Sequence, residues 1–221
     1  MPDLITVNSI NPSRKSVEIA SRAVREGLIF VYPTDTLYGL GTNALNSQSV
    51  SKIFKIKERP VDKPLPIAVL NSAMAEKYAI IEKEAKMLME KFWPGALTII
   101  VEKKKIIPRI VTGGKEKIGL RAPDHKVPIK IIETTGLPLI ATSANKHGRQ
   151  SSLTAQEAIN QLGQKVDLVI DGGKIERGKP STIIDVANTR PILLREGVIR
   201  REEIEAVLKK KILTATIKKV E

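Results

Sequence analysis

Three polar side chains that could contact a ligand follow one short apolar run near the start of the chain. In the string FVYPTDTLYGLG, which covers residues 30–41, the apolar residues predict a buried strand that ends at Pro33, because proline cannot donate to a sheet ladder. Thr34, Asp35 and Thr36 come next, where the strand gives way to a loop. By itself this segment is equally typical of a polar turn, so its role depends on what the fold brings near it.

A basic loop follows the next predicted helix. Apolar residues at helical spacing predict an amphipathic helix over residues 47–57, with Ser47 as its N-cap. It leads into the string KIKERPVDKPLP, whose prolines predict a stiff, extended loop that carries Lys57, Arg59 and Lys63. Arginine can bind a phosphate through two parallel hydrogen bonds, and lysine adds a movable point charge. This loop is therefore a candidate site for a polyphosphate.

A second apolar strand also stops at small polar residues. The strand predicted over residues 138–141 is followed by Thr142, Ser143, Ala144 and Asn145. Open α/β sheets bind ligands outside the ends of their strands. We therefore expect the two strand ends to belong to one sheet and to face a shared cleft.

Arg121 lies inside the apolar strand predicted over residues 118–122. An arginine in such a strand is costly to bury unless an anion accompanies it. The residues leave open whether a carboxylate side chain or a ligand supplies that anion, and we favour a ligand carboxylate.

Several kinds of catalytic site are excluded by composition and spacing. The chain has no cysteine, which excludes disulfides, iron–sulfur clusters and thiolate chemistry, and its two histidines, His125 and His147, are interpreted as loop residues. No Ser/His/Asp arrangement or zinc-ligand spacing is found. The remaining hydroxyls, amides and cations favour positioning and electrostatic stabilisation over covalent catalysis.

Eight strings in a fixed order carry a resemblance to a known family. They are PTDTLYGLG, KIKERPVDKPL, FWPGALTIIV, GLRAP, ATSAN, DGG, KPSTIIDV and LLREG, and they span residues from about 5 to about 206. In this order they resemble the Sua5/YrdC family, in its short, single-domain form. The resemblance implies synthesis of threonylcarbamoyl-AMP and pyrophosphate from L-threonine, bicarbonate or CO2 and ATP, for the t6A modification of tRNA at position 37. Mg²⁺ is expected to arrive with the ATP phosphates rather than on a protein site.

The resemblance also implies which residues contact each substrate. Four positions match threonine contacts, namely Thr36, Arg121, Ala141 through its backbone, and Ser181. Eight match the nucleotide and phosphate region, namely Lys57, Arg59, Lys63, Lys117, Ser143, Asn145, Ser151 and Arg195. No side chain is assigned acid or base catalysis, and Lys57 and Arg59 are assigned to positioning. Two positions depart from the family pattern: Ala68 stands where some longer relatives carry a polar residue, and Lys117 replaces a small hydroxyl residue.

Net charge keeps two alternative functions open. The formal charge of +13 indicates an anionic partner, but only seven residues are Phe, Trp or Tyr, which makes a stacking platform for single-stranded bases poor. One alternative is a non-enzymatic module that binds double-stranded RNA or tRNA. The other keeps the fold but uses carbamoyl phosphate, as related domains do in hydrogenase maturation. For the function that the resemblance implies, a separate tRNA threonylcarbamoyl transferase would act on the product.

Alternating short apolar runs and helical patterns predict the fold class. We count seven or eight strands and six or seven helices, with helical and hairpin connections, and so expect a mixed parallel and antiparallel sheet. The family resemblance implies a three-layer α/β/α arrangement around a basic concave cleft. Residues 1–207 are predicted to form this domain and residues 208–221 a short basic tail that is either an edge strand or frayed. Without a membrane span or signal peptide pattern, the sequence predicts a cytoplasmic protein.

Overall fold

The fold was obtained as a computed structural model that describes residues 1–176 and 178–215. The helices are α1 (Arg14–Arg25), α2 (Ser47–Lys57), α3 (Ser72–Ala75), α4 (Lys83–Phe92), α5 (Lys126–Thr135), α6 (Ala155–Leu162) and α7 (Arg201–Leu208), with a 3₁₀ turn at Gly163–Lys165. The strands are β1 (Asp3–Thr6), β2 (Phe30–Tyr32), β3 (Gly39–Gly41), β4 (Ile67–Ala68), β5 (Leu97–Glu102), β6 (Lys117–Arg121), β7 (Leu139–Ile140), β8 (Thr142–Ser143), β9 (Leu168–Asp171), β10 (Thr182–Asp185), β11 (Ile192–Arg195) and β12 (Leu213–Thr214).

The strands form two sheets rather than the single sheet expected. Sheet I has the order β1-β9-β2-β3-β8, and sheet II has the order β12-β11-β10-β5-β6-β4-β7. Each sheet contains parallel pairs, such as β2 with β9 and β10 with β5, and antiparallel pairs, such as β2 with β3 and β5 with β6. The prediction of an α/β fold with mixed pairing is confirmed, and the division into two sheets is the feature that sequence patterns missed.

The two sheets meet at Ala141. Before it, β7 pairs antiparallel with β4 in sheet II, and after it, β8 pairs antiparallel with β3 in sheet I. The amide of Ala141 donates to the carbonyl of Pro66 at 2.9 Å, which holds this passage against sheet II. Gly41 makes the close approach possible, because a Cβ there would lie 2.7 Å from Tyr32 Cε1 and 3.1 Å from the Ile140 carbonyl oxygen. The strand ends therefore share a junction between sheets.

Apolar burial holds both sheets in place. All three residues of β2 are buried, and so are most residues of β5 and β6, as expected for strands in the middle of a covered sheet. Helices α1 and α6 contact β9 of sheet I, while α4 contacts β5 of sheet II and packs against α7. The strand ends at the junction are thus supported from behind by a rigid core.

Helix α2 has the predicted bounds but a different N-cap. The side chain of Asn46, not that of Ser47, accepts from the amides of Gln48 and Ser49 at 3.1 Å. The cap belongs to Asn46 because its backbone is extended, whereas Ser47 is already the first helical residue. At the other end Glu58 has a φ of 53°, in the left-handed region, so the chain turns sharply into the basic loop.

Part of the predicted C-terminal tail is a strand. β12 lies at the edge of sheet II and pairs parallel with β11, which agrees with the edge-strand alternative for residues 213–214. Residues 216–221 lie outside the described residues. Among the helices of the described ranges, none combines the length and apolar character needed to cross a bilayer.

Candidate functional site

A cavity of about 290 Å³ lies where the two sheets meet. Its walls come from the turn between β2 and β3, the basic loop after α2, strands β5 and β6, the passage around Ala141, and the segment that leads into β10 and β11. The residues that line it are Tyr32, Thr34, Thr36, Leu37, Tyr38, Gly39, Arg59, Pro64, Pro66, Ala68, Thr98, Arg121, Pro123, Ala141, Thr142, Ser143, Ser151, Pro180, Ser181, Ile183 and Arg195.

The fold brings most, but not all, of the candidate residues to this cavity. All four positions matched to threonine line it: Thr36, Arg121, Ala141 and Ser181. Four of the eight matched to the nucleotide also line it: Arg59, Ser143, Ser151 and Arg195. The remaining four, Lys57, Lys63, Lys117 and Asn145, are not among the lining residues. Ala68 also lines the cavity, so an apolar methyl group stands at the position where some longer relatives carry a polar residue.

The turn after β2 is held by the hydroxyl of Thr34. This hydroxyl donates to the carbonyl of Leu37 at 2.7 Å and accepts from the amides of Thr36 and Leu37 at 3.2 and 3.3 Å. Such a hydroxyl-centred turn satisfies buried backbone groups without a regular ladder. It fixes the direction in which Asp35 and Thr36 leave the strand.

Arg121 is paired with a carboxylate of the protein. Its Nη2 donates to Asp35 Oδ1 at 2.6 Å, its Nη1 donates to the Thr36 hydroxyl at 2.9 Å, and its Nε donates to the Gly95 carbonyl at 3.0 Å. Asp35 supplies the anion that the burial of Arg121 requires, because the turn after β2 carries this carboxylate to the end of β6. A ligand carboxylate at Arg121 stays a prediction. Two of the five guanidinium N–H groups remain for a ligand.

Arg195 and Ser181 form a second polar group at the cavity. Arg195 donates from Nε and Nη2 to the Ser181 carbonyl at 3.0 and 2.9 Å, and Ser181 Oγ lies 2.9 Å from the hydroxyl of Thr98. Burial, followed by the positive charge of Arg121, lowers the pKa of Arg195. Thr98 was missed by the sequence analysis, and its only signal was a hydroxyl within the apolar run of β5.

Arg59 is held in the basic loop by backbone carbonyls. Its Nε donates to the carbonyl of Lys63 at 3.1 Å and its Nη2 to that of Pro64 at 2.9 Å. Burial lowers the pKa of Arg59, while the charge of Asp62 acts in the opposite direction. The loop thus fixes the guanidinium by its backbone and leaves its charge directed to the cavity that it lines.

Lys57 supports the cavity wall from inside the protein. Its Nζ donates to the carbonyls of Ser143 and Asn145 at 2.5 and 2.7 Å, and its own carbonyl accepts from the amide of His147 at 2.8 Å. Asn145 is buried and its amide donates to the carbonyls of Lys146 and Arg149. Lys57 and Asn145 therefore order the loop that presents Ser143, and the structure does not place either against the cavity.

The buried ammonium of Lys57 has a measurable consequence for stability. Burial, with a smaller effect from the charge of Arg59, lowers the pKa of Lys57 from 10.5 to about 7. An unfolded lysine keeps a pKa of about 10.4, so unfolding takes up a proton between these values and the free energy of unfolding rises with pH. We expect Lys57→Met to flatten this rise in urea denaturation from about pH 7 to about pH 10.

Lys52→Met is the matched control, because Lys52 lies on the same helix but is exposed. It should keep the wild-type dependence of the unfolding free energy on pH. If the unfolding free energies of the wild type and of Lys57→Met depend on pH in the same way, the lowered pKa is wrongly assigned to Lys57.

Two lysines are placed away from the cavity. Lys63 is exposed, with its Nζ 3.0 Å from Nε2 of His147. Lys117 stands at the other end of β6 from Arg121, about 13 Å away at the usual rise of a strand, and its Nζ donates to Asp185 Oδ2 at 3.0 Å and Asn188 Oδ1 at 2.7 Å. The expectation that Lys117 joins the nucleotide group is corrected, because its position in β6 points it to the opposite end of the sheet.

The cavity offers little to a metal ion. Within residues 1–176 and 178–215, no Asp or Glu is among the residues that line it, and no group of three or more His, Asp or Glu side chains is suited to hold a metal. Magnesium prefers several oxygen ligands, including carboxylates, phosphates and water. The polar side chains that line the cavity are hydroxyls and cations, so a Mg²⁺ ion there would depend on oxygens brought by a ligand.

Comparison with known proteins identifies a family match over most of the chain. Residues 22–197 match the Sua5/YciO/YrdC family model, which is described as telomere recombination. The chain is 40% identical over 193 residues to threonylcarbamoyl-AMP synthase of Pyrococcus abyssi, a match that covers 87% of this chain and 57% of that protein. It is 40% identical over 192 residues to threonylcarbamoyl-AMP synthase of Bacillus subtilis, covering 86% of this chain and 55% of that protein.

A solved structure agrees with the fold. The crystal structure of Sua5 from Pyrococcus abyssi complexed with L-threonine superposes with a TM-score of 0.92 at 38% identity, covering 96% of this chain and 62% of that one. The chain thus spans somewhat more than half the length of these relatives from Pyrococcus abyssi and Bacillus subtilis.

Proposed function

We propose that this chain, which belongs to the Sua5/YciO/YrdC family, makes threonylcarbamoyl-AMP and pyrophosphate from L-threonine, bicarbonate or CO2 and ATP. Two relatives at 40% identity carry the name threonylcarbamoyl-AMP synthase, and a related protein has been crystallised with L-threonine. The product would serve the t6A modification of tRNA at position 37.

One observation carries the proposal. A single cavity is lined by a hydroxyl and arginine group, Thr36, Arg121 and Ser181, together with two further arginines, Arg59 and Arg195. The first group suits the carboxylate and hydroxyl of an amino acid, and the second suits phosphate oxygens. An adenylyl transfer requires that the amino acid and the triphosphate be bound together in one cavity.

The proposed reaction proceeds by alignment of the substrates. The threonine amine attacks CO2 and loses a proton, giving N-carboxythreonine; one carboxylate oxygen then attacks the α-phosphorus of ATP, and the bond to the β-phosphate breaks to release pyrophosphate. Arg121, Thr36, Ser181 and the backbone of Ala141 would orient threonine. The guanidinium groups of Arg59 and Arg195 would neutralise charge that moves onto the phosphate oxygens.

Magnesium would enter with the nucleotide in this scheme. Bound to ATP it would supply positive charge to the phosphate oxygens, and no residue of the cavity is assigned to it. The hydroxyls of Ser143 and Ser151, which line the cavity, would contact the nucleotide.

We expect Arg59→Ala to weaken ATP binding by about 1.5–3 kcal/mol, the usual scale for a charged hydrogen bond, which is roughly ten- to a hundredfold in Kd. Isothermal titration calorimetry with ATP measures the change. Arg109→Ala is the control, because Arg109 is exposed and does not line the cavity. Unchanged ATP affinity in Arg59→Ala would remove Arg59 from the site.

One assay tests the function as a whole. The protein is incubated with radiolabelled bicarbonate, ATP and L-threonine, each omitted in turn, and pyrophosphate release is followed. Release that needs all three supports the proposal. Release that needs carbamoyl phosphate instead points to the chemistry of the hydrogenase-maturation domains, and RNA binding without turnover points to a non-enzymatic RNA module.

The proposal includes two macromolecular partners. A separate tRNA threonylcarbamoyl transferase would consume the product, and the net charge of +13 suits transient contact with tRNA or another double-stranded RNA.

A further inference from the structure

The three arginines of the cavity differ in how their charge is compensated. Arg121 forms a salt bridge of 2.6 Å with Asp35, and both side chains are buried, with 11% and 7% of their surfaces exposed. In the described part of the chain, neither Arg59 nor Arg195 lies within salt-bridge distance of a carboxylate. Their hydrogen bonds go to backbone carbonyls and to the hydroxyl of Ser181.

Charges farther away do not compensate Arg59 and Arg195 as Asp35 compensates Arg121. Asp62 acts on Arg59, but it is exposed, where solvent screens it. The charge that acts on Arg195 is that of Arg121 itself. Without Asp35, all three arginines that line the cavity would therefore lack a carboxylate within salt-bridge distance among the described residues.

Asp35 acts from behind the cavity. It is not among the lining residues, although its neighbours Thr34 and Thr36 are. Its Oδ2 is buried and has no hydrogen-bond partner within the described residues. Asp35 is therefore placed to act on a ligand through Arg121 rather than by touching the ligand.

We propose that Asp35 is a positioning residue that determines specificity: it neutralises Arg121, so that the part of the cavity beside Arg121 accepts a zwitterionic amino acid rather than a phosphate group. A zwitterion carries no net charge and gains from the oriented N–H groups of Arg121, whereas a phosphate is drawn to uncompensated cations. Arg59 and Arg195 keep their charge and attract the polyphosphate. This inference rests on the proposed function, which requires both ligands in one cavity.

Calorimetric titrations of the wild type and of Asp35→Asn, with inorganic pyrophosphate and with L-threonine separately, test the proposal. At low ionic strength we expect Asp35→Asn to bind pyrophosphate about tenfold more tightly, as one added charge at close range predicts. We expect it to bind threonine at least about tenfold more weakly, because Arg121 loses the charged hydrogen bond to Asp35 that orients its N–H groups. Added salt should erase the gain for pyrophosphate. Asp35→Glu, which keeps the carboxylate, should stay closer to the wild type for both ligands.

Asp185→Asn is the matched control. Asp185 is a part-buried carboxylate that pairs with Lys117 at the other end of β6, so the change breaks an ion pair without altering the charge of the cavity. Both affinities should stay at the wild-type value. Pyrophosphate affinity that is unchanged or weaker in Asp35→Asn, or threonine affinity that is retained, overturns the proposal.

A double variant keeps the test decisive should Asp35→Asn fail to fold. Asp35→Asn with Arg121→Gln replaces a neutral ion pair by a neutral polar pair, so its pyrophosphate affinity should remain within about twofold of the wild type. A loss of about tenfold or more would mean that Arg121 contributes an uncompensated charge, against the proposal. These titrations require no turnover, so a chain that fails the pyrophosphate-release assay can still show the Asp35 effect, and the two failures are distinguishable.

Discussion

Arg121→Gln is expected to lower the free energy of unfolding by about 3–5 kcal/mol, the scale for a buried ion pair that loses one partner. The reason is that Asp35, only 7% exposed, would keep its charge without a cation and with one oxygen already unpartnered among the described residues. Urea denaturation at neutral pH measures the loss.

The same variant should lose threonine but keep ATP. Arg59 and Arg195, the uncompensated cations, remain in Arg121→Gln, so ATP affinity should change by less than about threefold. The double variant Asp35→Asn with Arg121→Gln should recover most of the stability without recovering threonine binding. If Arg121→Gln lost ATP binding but kept threonine binding, the assignment of the threonine carboxylate to Arg121 would be wrong.

Gly197→Ala should be strongly destabilising although Gly197 does not line the cavity. A Cβ at this position would lie 2.2 Å from the Pro180 carbonyl oxygen, 2.5 Å from the Ser181 carbonyl carbon and 2.6 Å from the Thr182 amide. These atoms are all backbone, so no side-chain rotation relieves the clash. We expect a loss of about 3 kcal/mol in unfolding free energy, at the upper end of the range for overpacking.

The displacement should also reach the cavity, since Ser181 accepts the three hydrogen bonds that orient Arg195. Threonine and ATP affinities should therefore both fall in the folded fraction of Gly197→Ala. Gly136→Ala is the control: it has a φ of 66° but open space around its Cβ, so it should cost only about 1 kcal/mol and leave both affinities unchanged. Equal losses in the two variants would argue against a backbone clash at Gly197.

Local chemistry was sufficient to predict much of the fold. Helix α2 has the bounds expected from its apolar spacing and from the proline-rich segment after it. The two strand ends rich in hydroxyls do face one cavity. The bounds of the helix depend on neighbours within a few residues, which periodicity and proline geometry can reveal, and the shared cavity follows from the rule that α/β sheets bind ligands at their strand ends.

The groups that each lysine or arginine side chain contacts could not be predicted in this way. Lys57 and Arg59 are two residues apart, yet Lys57 is the last residue of α2 and points into the protein, while the left-handed turn at Glu58 directs Arg59 to the cavity. Lys117 and Arg121 share one strand and lie at its opposite ends. Whether a charge meets a ligand, a carbonyl or another side chain depends on groups from distant parts of the chain.

The amino-acid sequence by itself determined the family, the mixed α/β class and the stock of hydroxyls and cations from which a binding cavity is built. The tertiary structure alone decided that two sheets meet at Ala141 and that Asp35 pairs with Arg121, a contact between residues 86 positions apart. The physical reason is that helical and strand propensities act over a few residues, whereas a buried charge is compensated by whichever group the packed core brings to it.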